Sequence, residues 1–289
     1  MARGLDHIVH AVRDLDAAAD FYARLGFLVG VRNRHPWGTH NRIVQLPGFF
    51  IELLTVAEPE KLGGDGLPRL FGRSNQRFLE RQEGFSVLML ESRDAARDAA
   101  AFRTAGIAAA DVMKFEREGK RPDGRPVKVA FSLAFARDEK TATVGFAVCQ
   151  HHYPENFWSP GYHDHANTAR AIAAVVLVAE NPTDHHIFLS AFAGERELLA
   201  TSTGVTARTP RGEIQVMIPA AFRSHFGVEP PDISAGARLA AVRLGVKEMP
   251  AVDAVLKANK VRFRTHMGRA VVGPDLAHGG TIVFEPAAG

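Results

Sequence analysis

The 289-residue sequence lacks a second cysteine: Cys149 stands alone, so neither an intrachain disulfide nor a cluster of zinc-bound thiolates is available within one copy. A single thiol suits a reducing compartment. Long apolar runs are missing as well, since no stretch reaches the roughly 18 consecutive apolar residues of a spanning helix, and the opening "MARGLDHIVHAV" has no signal-peptide core. A cytoplasmic protein without a membrane partner is expected. Charge of one sign is also scarce: 35 Lys and Arg face 32 Asp and Glu, and no basic tract interleaved with aromatics favours nucleic acid. The densest basic run, "REGKRPDGRPVK", reads as a solvated hairpin turning at Pro122 and Gly124. Absent too are the "GxSxG" nucleophile elbow, the "GxxxxGKS/T" phosphate loop and the dinucleotide fingerprint "GxGxxG".

What is present is apolar material, 46% of the chain, enough for two hydrophobic cores without disulfides or a structural metal. "LDHIVHAV" reads as a strand, and "RDLDAAADFYARLG" as a helix with Ala18, Phe21, Tyr22 and Leu25 at helical spacing. Asp14 or Asp16 can cap it and Gly26 can end it. The same order returns in "GFSVLMLESRDAARDAAAFRTAG", with Ser92 as the expected cap, Ala95, Ala99 and Phe102 on one side, and Gly106 as terminator. A third copy opens with "ARAIAAVVLVAENPTDHHIFLSAFAG" and a fourth with "ARLAAVRLGVKEMPAVDAVLKANK", where Pro182 and Pro250 suit helix openings. Short strand-like runs follow each helix, for example "NRIVQL" and "FFIELLTV" in the first unit. The chain therefore reads as α+β, four βαβββ modules paired into two domains, residues 1–165 and 166–289. Within the first pair, "AEPEKLGGDGLPRLFGRSNQ" is a long connection that either covers a ligand or simply links two units.

The stretch "LDHIVHAVRDLDAAADFYARLGF" followed by "RHPWGTHNRIVQLPGFFIELL" closely resembles the start of a glyoxalase-like protein of the vicinal oxygen chelate superfamily. The resemblance implies glyoxalase-like domains with curled mixed sheets and a divalent metal, Zn, Mn, Fe or Ni, in a cup. It places metal ligands at His7 and Glu52. In the second unit the first-strand position falls near Phe85 and the last strand offers Cys149 or Gln150, so His151 or His152 is the substitute that would complete a two-histidine, one-carboxylate site. The corresponding positions of units three and four fall near Ala173 and Ala241, which makes the second half a degenerate domain or a pocket lid, with Glu285 a peripheral strand acid.

Two further stretches carry polar and aromatic groups together. "RHPWGTHN" offers His35, Trp37, His40 and Asn41 as either pocket wall or local turn chemistry, and "HHYPENFWSPGYHDH" offers His151, His152 and Trp158. His163, Asp164 and His165 cannot be assumed to meet one ion, because adjacent residues on an extended chain face opposite ways. His185 and His186 read as helix-surface or cap residues, and Cys149 as an inert buried thiol. The expected function is a metalloenzyme acting on a small oxygen-bearing metabolite by metal-assisted proton transfer, with isomerase, lyase or dioxygenase chemistry and with Glu52 and His151 catalytic. The alternative is a non-enzymatic small-molecule binding or resistance protein. Four units in one chain require no dimer.

Overall fold

The computed structural model describes residues 2–120, 125–141 and 143–287; the turn expected at Pro122 and Gly124 lies outside the described residues. In the first half, β1 (Leu5–Ala11), α1 (Leu15–Arg24), β2 (Asn33–Arg34), β3 (Thr39–Leu46) and β4 (Phe49–Val56) form one unit. The connecting α2 (Arg73–Arg81) leads to β5 (Gly84–Glu91), α3 (Ala95–Thr104), β6 (Met113–Lys120), β7 (Pro126–Ala136) and β8 (Gly145–His151). A short α4 (Pro154–Phe157) precedes β9 (Ala169–Val178), α5 (His186–Ala193), β10 (Leu198–Thr201), β11 (Gly204–Arg208) and β12 (Glu213–Met217). Then α6 (Pro219–Phe226) leads to β13 (Arg238–Val246), α7 (Met249–Ala258), β14 (Arg264–His266), β15 (Arg269–Val272) and β16 (Thr281–Pro286).

Two eight-stranded mixed sheets result, ordered β2-β3-β4-β1-β5-β8-β7-β6 and β10-β11-β12-β9-β13-β16-β15-β14. Each joins two units through an antiparallel pair of their first strands, β1 with β5 and β9 with β13, while β1 and β5 run parallel to β4 and β8. This is the expected α+β architecture of paired βαβββ modules.

The helices form where local chemistry permits. Asp14 accepts from the amides of Asp16 and Ala17, both at 3.0 Å, which contributes about 1 kcal/mol to the start of α1. At α3 the cap is Asp94, accepting from Ala96 and Arg97, and not Ser92 as expected. Ser92 sits two residues too early, and its hydroxyl accepts from the Asp94 amide and donates to Asp98. After α1, Gly26 adopts φ +91, and a Cβ there would fall 2.8 Å from Val255 and 3.0 Å from the Asn167 amide, so the turn also lets the two halves approach.

The outer faces of the two sheets share one apolar core that includes the helices. Phe27 stacks on Phe284 at 5.9 Å, and Phe146 meets Phe188 and Phe192 at 4.7 and 5.3 Å. Polar contacts cross the same boundary, two of them made by buried histidines. His10 donates from Nε2 to the His278 carbonyl at 2.9 Å, and His185 Nδ1 lies 2.6 Å from Asp138. The second contact corrects the surface reading of His185, which is buried; its partner lies far upstream and no local pattern reveals it. His186 is exposed.

On their inner faces the sheets differ. The second encloses Phe222 and Phe226 of α6, both fully buried against Val176 and Val283, so that cup is filled. In the first, the connection before α2 lays Leu67 and Phe71 across the opening and leaves space beneath. The long connection is thus a cover.

Candidate functional site

The site begins with an irregularity in a central strand. Between Leu5 and His7, β1 advances two residues while β5 advances one, from Leu90 to Met89, so Asp6 is the extra residue of a bulge. A regular strand would send Asp6 and His7 to opposite faces. Here His7 Nδ1 donates to Asp6 Oδ2 at 2.5 Å, and His151 Nε2, from the end of β8, lies 3.2 Å from Asp6 Oδ1. Burial alone would raise the Asp6 pKa, but the charges and hydrogen bonds of His151 and then His7 hold it well below the ordinary carboxylate range. With its Nδ1 hydrogen committed, a neutral His7 keeps a lone pair on Nε2.

Glu52 comes from β4, where it pairs with Val9, two residues along from His7. It is 5% exposed and accepts a short hydrogen bond from Asn41 Nδ2 at 2.5 Å. Burial raises its pKa, opposed by the charge of His7, the Asn41 hydrogen bond and Arg117. His35 Nε2 lies 4.0 Å from the same carboxylate oxygen; its Nδ1 pairs with Thr39 Oγ1 at 2.8 Å, and its ring stacks on Trp37. Burial, then the neighbouring charges of Arg117 and His40, pull the His35 pKa down to about 3, so the ring is neutral at physiological pH.

His7, His35, Trp37, Asn41 and Glu52 line a cavity of about 70 Å³ whose remaining wall, Arg117 apart, is largely apolar, including Phe50, Phe71, Phe115, Phe131 and Phe157. A water needs roughly 10–15 Å³ of such space, so there is room for several waters or a small ligand. Arg117, from β6, stands where this cavity meets an open cleft of about 350 Å³ on the outer side.

Of the residues singled out in the sequence, His7, His35, Trp37, Asn41 and Glu52 share this one cavity. His151 does not reach its wall: Nε2 is given to Asp6, and Nδ1 is buried without a partner among the described residues. Trp158 stacks on His151 and packs beside Phe50, behind the wall. His40 faces away, bound to Glu58 and Arg32, because it alternates with Asn41 along β3. His152, one residue past the end of β8, faces outward to Ser132. His165 is structural, donating to the Gln45 carbonyl and accepting from the Leu28 amide. Asp6 and Arg117 escaped the sequence reading. The bulge has no sequence signature, and Arg117 opens the run that reads as a solvated hairpin.

The strand positions that hold a metal in the resembling proteins can now be compared between units. Asp14 and Asp94 cap equivalent helices, which sets His7 against Val87, and the pairings Val9–Glu52 and Met89–Ala147 set Glu52 against Ala147. The second unit therefore presents Val87 and Ala147, correcting the placement at Phe85 and at Cys149 or Gln150; the strands begin two residues off the expected frame. Neither side chain can bind an ion, so these four positions do not fit a metal held by both units. A different grouping does have ligand spacing. Asp6, Cys149 and His151 each place one donor atom within 4.8 Å of the others, with the Cys149 thiol pushed well up by burial and then by Asp6 and Glu52.

In the second half, the same comparison gives Ala174, Gln215, Ala241 and Val283 and no donor pair. The third-unit position thus moves from Ala173 to Ala174. Glu285 is not a peripheral acid: it is buried and takes charged hydrogen bonds from Arg243 at 2.7 and 3.0 Å and from Arg269 at 2.9 Å.

A pair of βαβββ cups, one filled and one hollow with a buried imidazole and carboxylate inside, is the fold that the sequence resemblance implied. The chain belongs to the glyoxalase-like family, whose model, described as a glyoxalase-like domain, matches residues 5–192. A hypothetical protein from Staphylococcus aureus is similar over 99% of this chain and 100% of its own at 13% identity, with a TM-score of 0.71. A variant of 4-hydroxymandelate synthase from Streptomyces coelicolor is similar at 12% identity over 91% of this chain and 76% of its own, with a TM-score of 0.57. A fusion of a xylose isomerase-like TIM barrel with 4-hydroxyphenylpyruvate dioxygenase is covered over half its length by the whole of this chain, at 11% identity and a TM-score of 0.54. At these identities the likeness is one of fold. No curated protein matches the chain by sequence. Among the described residues no helix is long and apolar enough to cross a membrane.

Proposed function

We propose that the first cup binds a small, largely apolar molecule bearing a carbonyl or carboxylate oxygen, and that Glu52 moves a proton on it. The observation that carries this reading is a buried carboxylate with a raised pKa on the wall of a cavity lined mostly by aromatic and aliphatic side chains. A base whose pKa approaches working pH is most effective, and burial tunes Glu52 in that direction. Asn41 fixes one carboxylate oxygen and leaves the other for the proton. Arg117, partly desolvated at the cavity mouth, supplies the positive charge for an acidic oxygen on the ligand, while the phenylalanine wall excludes water. His7, held by Asp6, offers a polar atom opposite Glu52. No step in this scheme uses an ion.

The reading is tested by following deuterium exchange at the carbon beside the carbonyl of small aromatic 2-oxo acids by NMR. The wild-type protein is expected to catalyse exchange, and Glu52→Gln to slow it by about 10²-fold or more. Equal rates in both proteins would overturn the assignment. Saturable binding without exchange would favour the alternative of a binding or resistance protein.

A second reading, favoured by the spacing of Asp6, Cys149 and His151, is that a divalent ion sits among these three residues. Metal analysis of the purified protein and of Cys149→Ser decides it: stoichiometric ion lost in the variant supports the site, and equal content in both removes it.

A further inference from the structure

The cleft alongside α2 is built for a different ligand from the cup. It encloses about 450 Å³, within the range of small-molecule sites, between α2, the start of β5 and the start of β8. Arg77 and Arg81, one helical turn apart, both line it, and no hydrogen bond or ion pair joins either to another described residue. No Asp or Glu is on the wall, so the two charges are uncompensated within the cleft. Thr143 also lines the cleft, and its hydroxyl is buried with no hydrogen-bond partner among the described residues. A third cation approaches from the second half: the Arg238 guanidinium lies 5.9 Å from the Phe78 ring, part of the same wall, and its Nε is buried without a partner. Leu70, Phe135 and Val144 supply an apolar floor, and Ser74, Asn75, Gln82 and Ser86 add neutral polar groups to the wall.

We infer that this cleft is a second binding site, for the phosphate group of a small organic phosphate, with Arg77 and Arg81 as its charged donors, Thr143 as a neutral one and the apolar floor beneath the organic part. Guanidinium forks match the oxygens of a tetrahedral dianion, and an orphaned hydroxyl on the wall of the same cleft gains the partner it lacks. The site is independent of the proton transfer assigned to Glu52. It shares only Phe71, which lines both spaces.

The test is calorimetric titration at low ionic strength with phenyl phosphate and, separately, inorganic phosphate. Saturable binding of phenyl phosphate is expected, weakened about tenfold or more in Arg77→Gln/Arg81→Gln, and weakened to a smaller extent in Thr143→Val. The arginines are exposed, so their replacement leaves the core intact, as circular dichroism will show. Tighter binding of phenyl phosphate than of inorganic phosphate supports the organic ligand; equal binding overturns that part and identifies the free ion as occupant. Absence of saturable binding by either, or affinities unchanged in the double variant, overturns the site. Glu52→Gln serves as the control that separates this site from the cup, and its phosphate affinity should match the wild type.

Discussion

His10 provides a sharp test of how the halves are joined. Its ring is wholly buried, and the His278 carbonyl accepts from Nε2, so Nδ1 is left to accept from the Tyr22 hydroxyl at 2.8 Å. Protonation would put a hydrogen on Nδ1 and face it toward that hydroxyl. Burial lowers the pKa from 6.5 to about 4, the hydrogen bond to His278 partly opposing. Because the folded value lies below the unfolded one, the unfolded chain takes up the proton first. The stabilisation is complete above pH 6.5, falls by about 1.4 kcal/mol per pH unit below it, and is lost by pH 4, about 3 kcal/mol in all. In His10→Gln an amide replaces the ring, with an oxygen for Tyr22 and an N–H for His278 but no titration. Urea unfolding of both proteins at pH 7.5 and pH 5 isolates the effect, since Glu83, His278 and the other titrating groups are common to both. The stability difference should shift by about 2 kcal/mol in favour of the variant at the lower pH. A difference independent of pH would refute the neutral, doubly bonded imidazole.

Asp6→Asn removes the charge between two imidazoles and leaves one acceptor oxygen for two ring N–H groups; it should destabilise the fold by about 3–5 kcal/mol at pH 7, read as a lower urea midpoint. Restoration of full stability by the asparagine would show that the bulge does not depend on the carboxylate. Phe222→Ala, which empties part of the second cup, should cost about 3–5 kcal/mol of stability while leaving exchange chemistry in the first cup unaltered. Loss of that chemistry in a folded variant would tie the two cups together.

The architecture was legible because its signals are local and repeated: a capping aspartate, an amphipathic helix and a stop recur, as Asp14 and Asp94 show. The part of the site on regular strands was legible too, with His7, Asn41 and Glu52 meeting in one cavity. What escaped depends on register. Asp6 joins the site only through a bulge, His40 leaves it through strand alternation, His152 lies just past the end of its strand, and a two-residue error in β5 and β8 hid Val87 and Ala147. Arg117 needed the curl of the sheet, which brings the far strand β6 over the cavity holding Glu52.

The phenylalanines of α6 give the chain a built-in asymmetry. Two hemispheres of like design yield only one vacancy, so saturation by a cup ligand should be hyperbolic, with a stoichiometry of one per polypeptide and no interplay between twin sites. Anyone wishing to install a second chamber would first have to evict Phe222 and Phe226, and so sacrifice the buttress on which that half now rests.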